Sequence, residues 1–126
     1  METIRLLLAD EHLLMRAALR QQLAQVNDLS VVAEADSLHQ MNDLAPKTAP
    51  AVAIVDIELM KLEGINVDQP FPANCTLPRF VFLSTFDWDV YLAWAWKWGA
   101  SAFVVKTCSI DKLIRIVHTV VDAGPA

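Results

Sequence analysis

The stretch Ala51-Val52-Ala53-Ile54-Val55-Asp56 decides how this chain folds. Five apolar residues in a row, rich in β-branched types and free of polar alternation, predict a strand over Ala51–Val55 that is buried on both faces. Such a strand belongs in a parallel sheet with helices above and below it. The run stops on a carboxylate, so an acid is expected at the strand's C-terminal end.

Similar runs lie on either side. Ile4–Ala9 is apolar apart from Arg5 and is followed by Asp10-Glu11. Leu29–Ala35, after the turn signal Asn27-Asp28, predicts a second strand. Phe80–Leu83 runs into Ser84-Thr85, and Ala102–Val105 runs into Lys106. Helical patterns separate these strands. His12–Val26 carries Met15, Ala18, Leu19, Leu23 and Val26 at helical spacing. Ser37 is an N-cap for a short helix through Leu44, ended by Pro46 and Pro50. Asp87–Trp98 is a helix stopped by Gly99. Ser109 caps a last helix whose stripe is Ile110, Leu113, Ile114, Val117, Val120 and Val121. Between strands three and four, Glu63–Pro78 contains Gly64, Pro70, Pro72 and Pro78, which predicts an irregular or shortened helix. Strands alternating with helices imply right-handed βαβ units. The expected fold is α/β and flavodoxin-like: a three-layer sandwich around a five-stranded parallel sheet of order 2-1-3-4-5.

Composition narrows the function. A chain of 126 residues, 55% hydrophobic, makes one domain with a sizeable core. The domain is expected over 1–122, with Asp122-Ala-Gly-Pro-Ala opening a linker at 123–126. No apolar run reaches the ~20 residues of a membrane span, and the N-terminus lacks a basic region and a cleavage signal, so a cytoplasmic location is expected. Cys75 and Cys108, far apart and outside any C-x-x-C motif, read as free thiols. A net charge of −5 with no basic run argues against a nucleic-acid surface spread over this chain.

The polar residues that interrupt the apolar runs converge. In a 2-1-3-4-5 sheet, strands 1, 3, 4 and 5 are neighbours, and their C-terminal ends share the edge where open α/β sheets bind ligands. Asp10, Glu11, Asp56, Ser84 and Lys106 should meet there. Packed carboxylates repel unless a cation sits among them, and oxygen donors suit a hard ion, Mg²⁺ above all. Zinc would want more than His12 supplies. Lys106 and Ser84 suit the remaining oxygens of a phosphoryl group, with Asp56 as nucleophile. A phosphatase with its aspartate after the first strand would want Asp-x-Asp, whereas Asp10 is followed two residues later by His12. On its own pattern, His12 reads as structural packing at the first helix start, and His39 and His118 as surface residues.

The sequence resembles the response-regulator receiver family of two-component systems, in its NarL/FixJ (LuxR-type) subfamily. The matching pieces are Ile4-Arg-Leu-Leu-Leu-Ala-Asp-Glu-His12 with Arg16, Val31-Val-Ala-Glu-Ala35, and Val55-Asp56-Ile57. They continue with Gly64, Phe82-Leu-Ser-Thr-Phe-Asp87 and Gly99-Ala-Ser-Ala-Phe-Val-Val-Lys106. The resemblance implies a CheY-like fold and a phosphorelay switch that is not an enzyme beyond Mg²⁺-dependent self-phosphorylation and slow autodephosphorylation. It implies Asp56 as phosphoacceptor and Ser84 and Lys106 as phosphoryl-coordinating groups. Mg²⁺ would sit on Asp10, Glu11, Asp56 and the backbone carbonyl of Glu58, with Ser84 and Phe103 as the switch pair. It also implies a sensor histidine kinase as partner, a homodimer, and DNA contact only through a helix-turn-helix domain beyond this chain. Departures are Glu11 where Asp is commoner, Leu59-Met60 where the family has Met-Pro, Thr107 in place of a proline, and the proline-rich 63–78.

Trp94 and Trp98 fall on nearly one face of their helix and Trp96 roughly opposite, so a helix flanking a sheet must expose one of them. An exposed tryptophan marks an interface with a second copy or a partner. The rival reading is a receiver-like module that binds proteins without being phosphorylated.

Overall fold

The computed structural model describes residues 3–62 and 78–122. Along them run β1 (Ile4–Ala9), α1 (Leu13–Leu23), β2 (Leu29–Ala35), α2 (Leu38–Thr48), β3 (Val52–Asp56), α3 (Ile57–Leu62), β4 (Arg79–Ser84), α4 (Asp89–Lys97), β5 (Ala100–Val105) and α5 (Ile110–Asp122). The strands form one parallel sheet in the order β2-β1-β3-β4-β5.

Side-chain alternation along the strands builds two cores. Leu7, Ala9, Ala53, Val55, Phe80 and Phe82 pack with Leu38 and Met41 of α2, Ile57 and Met60 of α3, and Tyr91 and Ala95 of α4. Leu6, Leu8, Val52, Ile54, Val81, Leu83 and Val104 pack with Leu23 of α1 and Leu113, Val117 and Val120 of α5. All five residues of β3 are buried, as a strand covered on both sides requires. No described helix is long and apolar enough to cross a membrane.

Several local expectations are corrected. The second helix does not end before Pro46; α2 runs through it to Thr48. A proline ring costs a helix interior ~3 kcal/mol. Here it lies in the last turns, and the stripe Leu38, Met41, Ala45 stays buried along the whole helix. Ala49 then turns left-handed (φ 49°) and returns its N–H to the carbonyl of Ala45, closing the helix before Pro50. The apolar stripe of α1 is only partly used: Leu23 is buried, but Met15 is 49% exposed. Met15, Ala18 and Leu19 line a cleft of about 140 Å³ with Cys108, Ile110 and Leu113. Leu59-Met60, which stand where the family has Met-Pro, are both buried in α3, which follows Asp56 directly. The remainder of the proline-rich segment (63–77), Cys75 and the linker at 123–126 lie outside the described residues.

The tryptophan helix behaves as its spacing requires. Trp98 is buried against Phe82 and Trp94, while Trp96 is 57% exposed.

The last helix is tied to the rest of the chain at two points. The Arg79 guanidinium donates to the carbonyl of Val120 at 2.8 Å, taking up a carbonyl that α5 leaves without an intrahelical donor. His118 faces two acceptors, Asp28 Oδ2 at 2.6 Å and the carbonyl of Ile114 at 2.9 Å. Only an imidazolium donates from both nitrogens. The Asp28 carboxylate accordingly raises the His118 pKa above its usual value, against a smaller opposing effect of burial. A raised folded-state pKa adds stability that is complete below 6.5 and vanishes as pH climbs through the folded value. Denaturant titrations of wild type and Asp28→Asn should therefore differ by about 0.2–1 kcal/mol at pH 5.5 and converge at pH 9. A gap that widens toward alkaline pH would contradict this ion pair.

Candidate functional site

Register builds the site. Ala9 pairs with Val55, so Asp10 follows β1 beside the end of β3, where Asp56 is the last residue. Asp56 pairs with Leu83 and Ser84 with Val105, so Ser84 and Lys106 continue the same edge. Two backbone bonds carry the ladder past the strand ends, Asp10 N–H to Ala35 and Lys106 N–H to Ser84. The sheet therefore brings Asp10, Asp56, Ser84 and Lys106 to one edge; of the five residues expected there, Glu11 stands on the rim.

Strands β5 and β3 are two spacings apart, roughly 10 Å, which only a long side chain can bridge. Lys106 does so. Its Nζ donates to Asp56 Oδ2 at 2.9 Å and to Asp10 Oδ2 at 3.2 Å. The other oxygen of Asp56 accepts the Glu58 backbone N–H at 3.0 Å, an orientation set by α3 starting at once after the strand. Arg16 on α1 donates to the backbone carbonyl of Asp10 and pairs with Glu34 on β2 at 3.2 Å, which fixes the loop carrying the first acid.

The electrostatics are uneven. Asp56 is 2% exposed, and burial pushes its carboxyl pKa up, helped by the charge on Asp10, although Lys106 and the Glu58 N–H pull the other way. Burial also acts to raise Asp10, but the His12 N–H, the Lys106 charge and the His12 side chain outweigh it, and its pKa falls. Burial would depress Lys106, yet its two carboxylate partners hold it above its usual value. Two buried acids thus share one ammonium.

The other predicted residues stand at varying distance from this centre. Glu11 is exposed and reaches the site's rim, its Oε1 3.7 Å from His12 Nε2. Ser84 is fully buried, but its hydroxyl bonds locally: it donates to the Phe86 carbonyl and accepts the Phe86 N–H at 3.1 Å. Phe103 is half-buried against the core beside β4, where it pairs with Phe82. Glu58 contributes its N–H. Trp94 and Trp96 lie on α4 and Trp98 caps its C-terminus.

His12 is the residue the sequence reading misplaced. Its Nδ1 lies 3.0 Å from Asp10 Oδ1 and 3.9 Å from Asp56 Oδ2. With Asp10 and Asp56 it offers potential metal-ligand atoms that all lie within 4.8 Å of one another. The signal was the Asp-x-His spacing. The His12 backbone N–H donates to Asp10 Oδ1 at 2.9 Å, a turn that swings the ring back over the acid. The donors present suit a divalent cation: two carboxylates carry excess negative charge, one has its ionised form penalised by burial, and the His12 side stays open to solvent.

The raised Asp56 pKa carries a stability cost at neutral pH. A folded pKa above the unfolded one adds stability below 3.8 and removes it as pH rises through the folded value. With a chelator present, Asp56→Asn should therefore raise the melting temperature at pH 7, by about 1 kcal/mol or roughly 3–6 °C, and the gain should shrink toward pH 4. Thermal melts across that range check it; a variant less stable than wild type at pH 7 would refute the imbalance.

Residues 6–118 match the family model of the response regulator receiver domain. The transcriptional regulatory protein UhpA of Escherichia coli is 33% identical over 117 residues, 93% of this chain, and the chain spans 58% of UhpA's length. The receiver domain of NarL from Mycobacterium tuberculosis superposes with a TM-score of 0.76 at 24% identity, covering 98% of this chain and 97% of that one. The response regulator domain of Thermotoga maritima CheB gives a TM-score of 0.83 at 23% identity, covering 98% and 100%. Both structural matches speak to the fold. The matched family model and the acid–lysine edge lead to one conclusion: this chain belongs to the response-regulator receiver family, in its NarL/FixJ (LuxR-type) branch.

Proposed function

We propose that this chain is a phosphorylatable switch that takes a phosphoryl group from a sensor histidine kinase onto Asp56 in the cytoplasm. The observation that carries this reading is the buried Asp56 carboxylate held by Lys106, which also bonds Asp10. An Asp56 oxygen attacks phosphorus, the bond from phosphorus to the donor's nitrogen or oxygen breaks, and an acyl phosphate forms on Asp56. Lys106 stays beside the incoming oxygens and neutralises charge there. Asp10, Glu11, Asp56 and the Glu58 carbonyl would hold Mg²⁺, which supplies charge neutralisation for the transferring group when bound. Glu11, with one methylene more than Asp, has the reach to turn inward from the rim.

Ser84 is the reporter. Its single proton is spent on Phe86, so a bond to a phosphoryl oxygen requires it to release that loop. Phe103, half-buried beside it on the next strand, is the aromatic that follows. Phe86 stacks on Trp88 at 4.3 Å, and the rings of Tyr91, Trp94 and Trp98 continue the contact along α4. The exposed Trp96 on this helix supports a homodimer contact through α4, β5 and α5. Control of DNA would come through a helix-turn-helix domain of the kind the NarL/FixJ branch carries, outside this chain.

Intact mass after incubation with acetyl phosphate and Mg²⁺ tests the chemistry. One phosphoryl adduct is expected in the wild type and none in Asp56→Ala or without a divalent ion. A folded protein that forms no adduct with any donor would favour the rival reading of a protein-binding module. Sedimentation tests the surface: a phosphoryl mimic should promote dimers, and Trp96→Lys should weaken them at least tenfold. A domain that stays monomeric with and without the mimic would sink the dimer.

A further inference from the structure

Phosphoryl transfer as described leaves His12 without a task, yet its ring stands at the centre of the acids. Neighbouring ligands of an octahedral ion at ~2.1 Å stand ~3.0 Å apart, and opposite ones ~4.2 Å. His12 Nδ1 lies 3.0 Å from Asp10 Oδ1 and 3.9 Å from Asp56 Oδ2, both within that span. Lys106 meets Asp10 through the other oxygen, Oδ2, so the ammonium and the imidazole approach this acid from different sides, whereas at Asp56 both face Oδ2 and an ion there would share that oxygen with the ammonium. The ring is 60% exposed, which leaves the ion a path from solvent and lets the ring adjust without disturbing the core.

The far side of the ring fits the same role. Its Nε2 points toward Glu11 Oε1 at 3.7 Å, so with His12 ligating, Glu11 keeps this outer position in place of turning inward to the ion. A histidine that ligates through one nitrogen ordinarily turns the other N–H to a carboxylate, which fixes the tautomer and raises the basicity of the ligand. The described chain has two other histidines, and neither competes: His39 is exposed on α2, and His118 is engaged with Asp28 and Ile114.

We infer that His12 is a nitrogen ligand of the cation site, which therefore prefers borderline transition ions of the Co²⁺, Ni²⁺ and Zn²⁺ class over Mg²⁺ more strongly than a site of oxygens alone. Imidazole favours such ions, while carboxylates and water suit Mg²⁺. This inference rests on the reading of the edge as a cation-dependent phosphoryl acceptor, and it names which ion that acceptor selects.

Calorimetric titration of the whole chain with Co²⁺ and with Mg²⁺ tests it, in wild type, His12→Ala and His12→Gln, each checked for folding by circular dichroism. The ratio of Co²⁺ to Mg²⁺ affinity should fall at least tenfold in both variants. Proton spectra of the Co²⁺-loaded wild type should show a hyperfine-shifted, exchangeable imidazole N–H that both variants lack. A smaller fall in the ratio, or a shifted N–H that survives in His12→Gln, overturns the role of His12. If wild type forms the Asp56 adduct with Mg²⁺ but fails these tests, this inference alone is lost. If wild type binds neither ion and forms no adduct, the phosphoryl-acceptor reading falls with it.

Discussion

The Lys106 ammonium, shared between Asp56 and Asp10, is the constraint around which the rest of the molecule is arranged. Withdrawing a carboxylate from water costs several kcal/mol unless a partner stands close. Two are withdrawn here, and one positive charge serves both. Asp10 is well compensated, with its pKa pulled down, while Asp56 is left under-compensated, with its pKa pushed up. A fully neutralised pair would be a structural ion pair and nothing more. The residual negative charge suits this edge to a divalent cation, and the most buried acid is also the one whose ionised form is least well solvated.

The fold exists to hold that geometry. Lys106 has to span from β5 to β3, and this is possible only because β4 ends flush between them, with Ser84 paired to Val105 and Leu83 to Asp56. A slip of one residue in β4 would turn Phe80 and Phe82 from the α4 side to the α5 side and break both cores at once. Packing on two faces therefore locks the register, and the register places the charges. The unbroken apolar character of β3 serves the site as much as the core.

Much of this was legible in the sequence because the signals were strong and local. Buried parallel strands leave unmistakable apolar runs, alternation with helices implies a parallel sheet, and 2-1-3-4-5 is its common order at this size; once that order is taken, the residue after each run is placed. The features that escaped depend on contacts between segments. Burial of Leu38, Met41 and Ala45 carries α2 through Pro46, which its local propensity opposes. Met15 follows helical spacing but faces a cleft, because α1 meets the sheet mainly through its C-terminal end. His12 reads as an ordinary helix-start residue until the turn on Asp10 brings it over the acids. The spacing of the tryptophans foretold that one would face solvent, because helix periodicity alone settles that.

On the proposed reading, the hydroxyl of Ser84 is the element that responds to phosphorylation. It now makes a neutral pair of bonds with Phe86, closing a turn at the end of β4. A neutral hydrogen bond contributes about 0.5–1.5 kcal/mol net, and one to a charged group about 1.5–3. Exchanging the donated bond for one to a phosphoryl oxygen on Asp56 would gain about 1 kcal/mol, roughly a fivefold shift in population, provided the Phe86 N–H finds another acceptor. That surplus is too small to hold the loop irreversibly. Phe86, freed from Ser84, is also the first ring of the stack that runs through Trp88 and Tyr91 to Trp94 and Trp98. The buried end of that stack, Trp98 against Phe82, belongs to the same core that fixes β4, so the loop can move only by changing how the rings pack. A two-state response is what close packing imposes on a loop anchored this way.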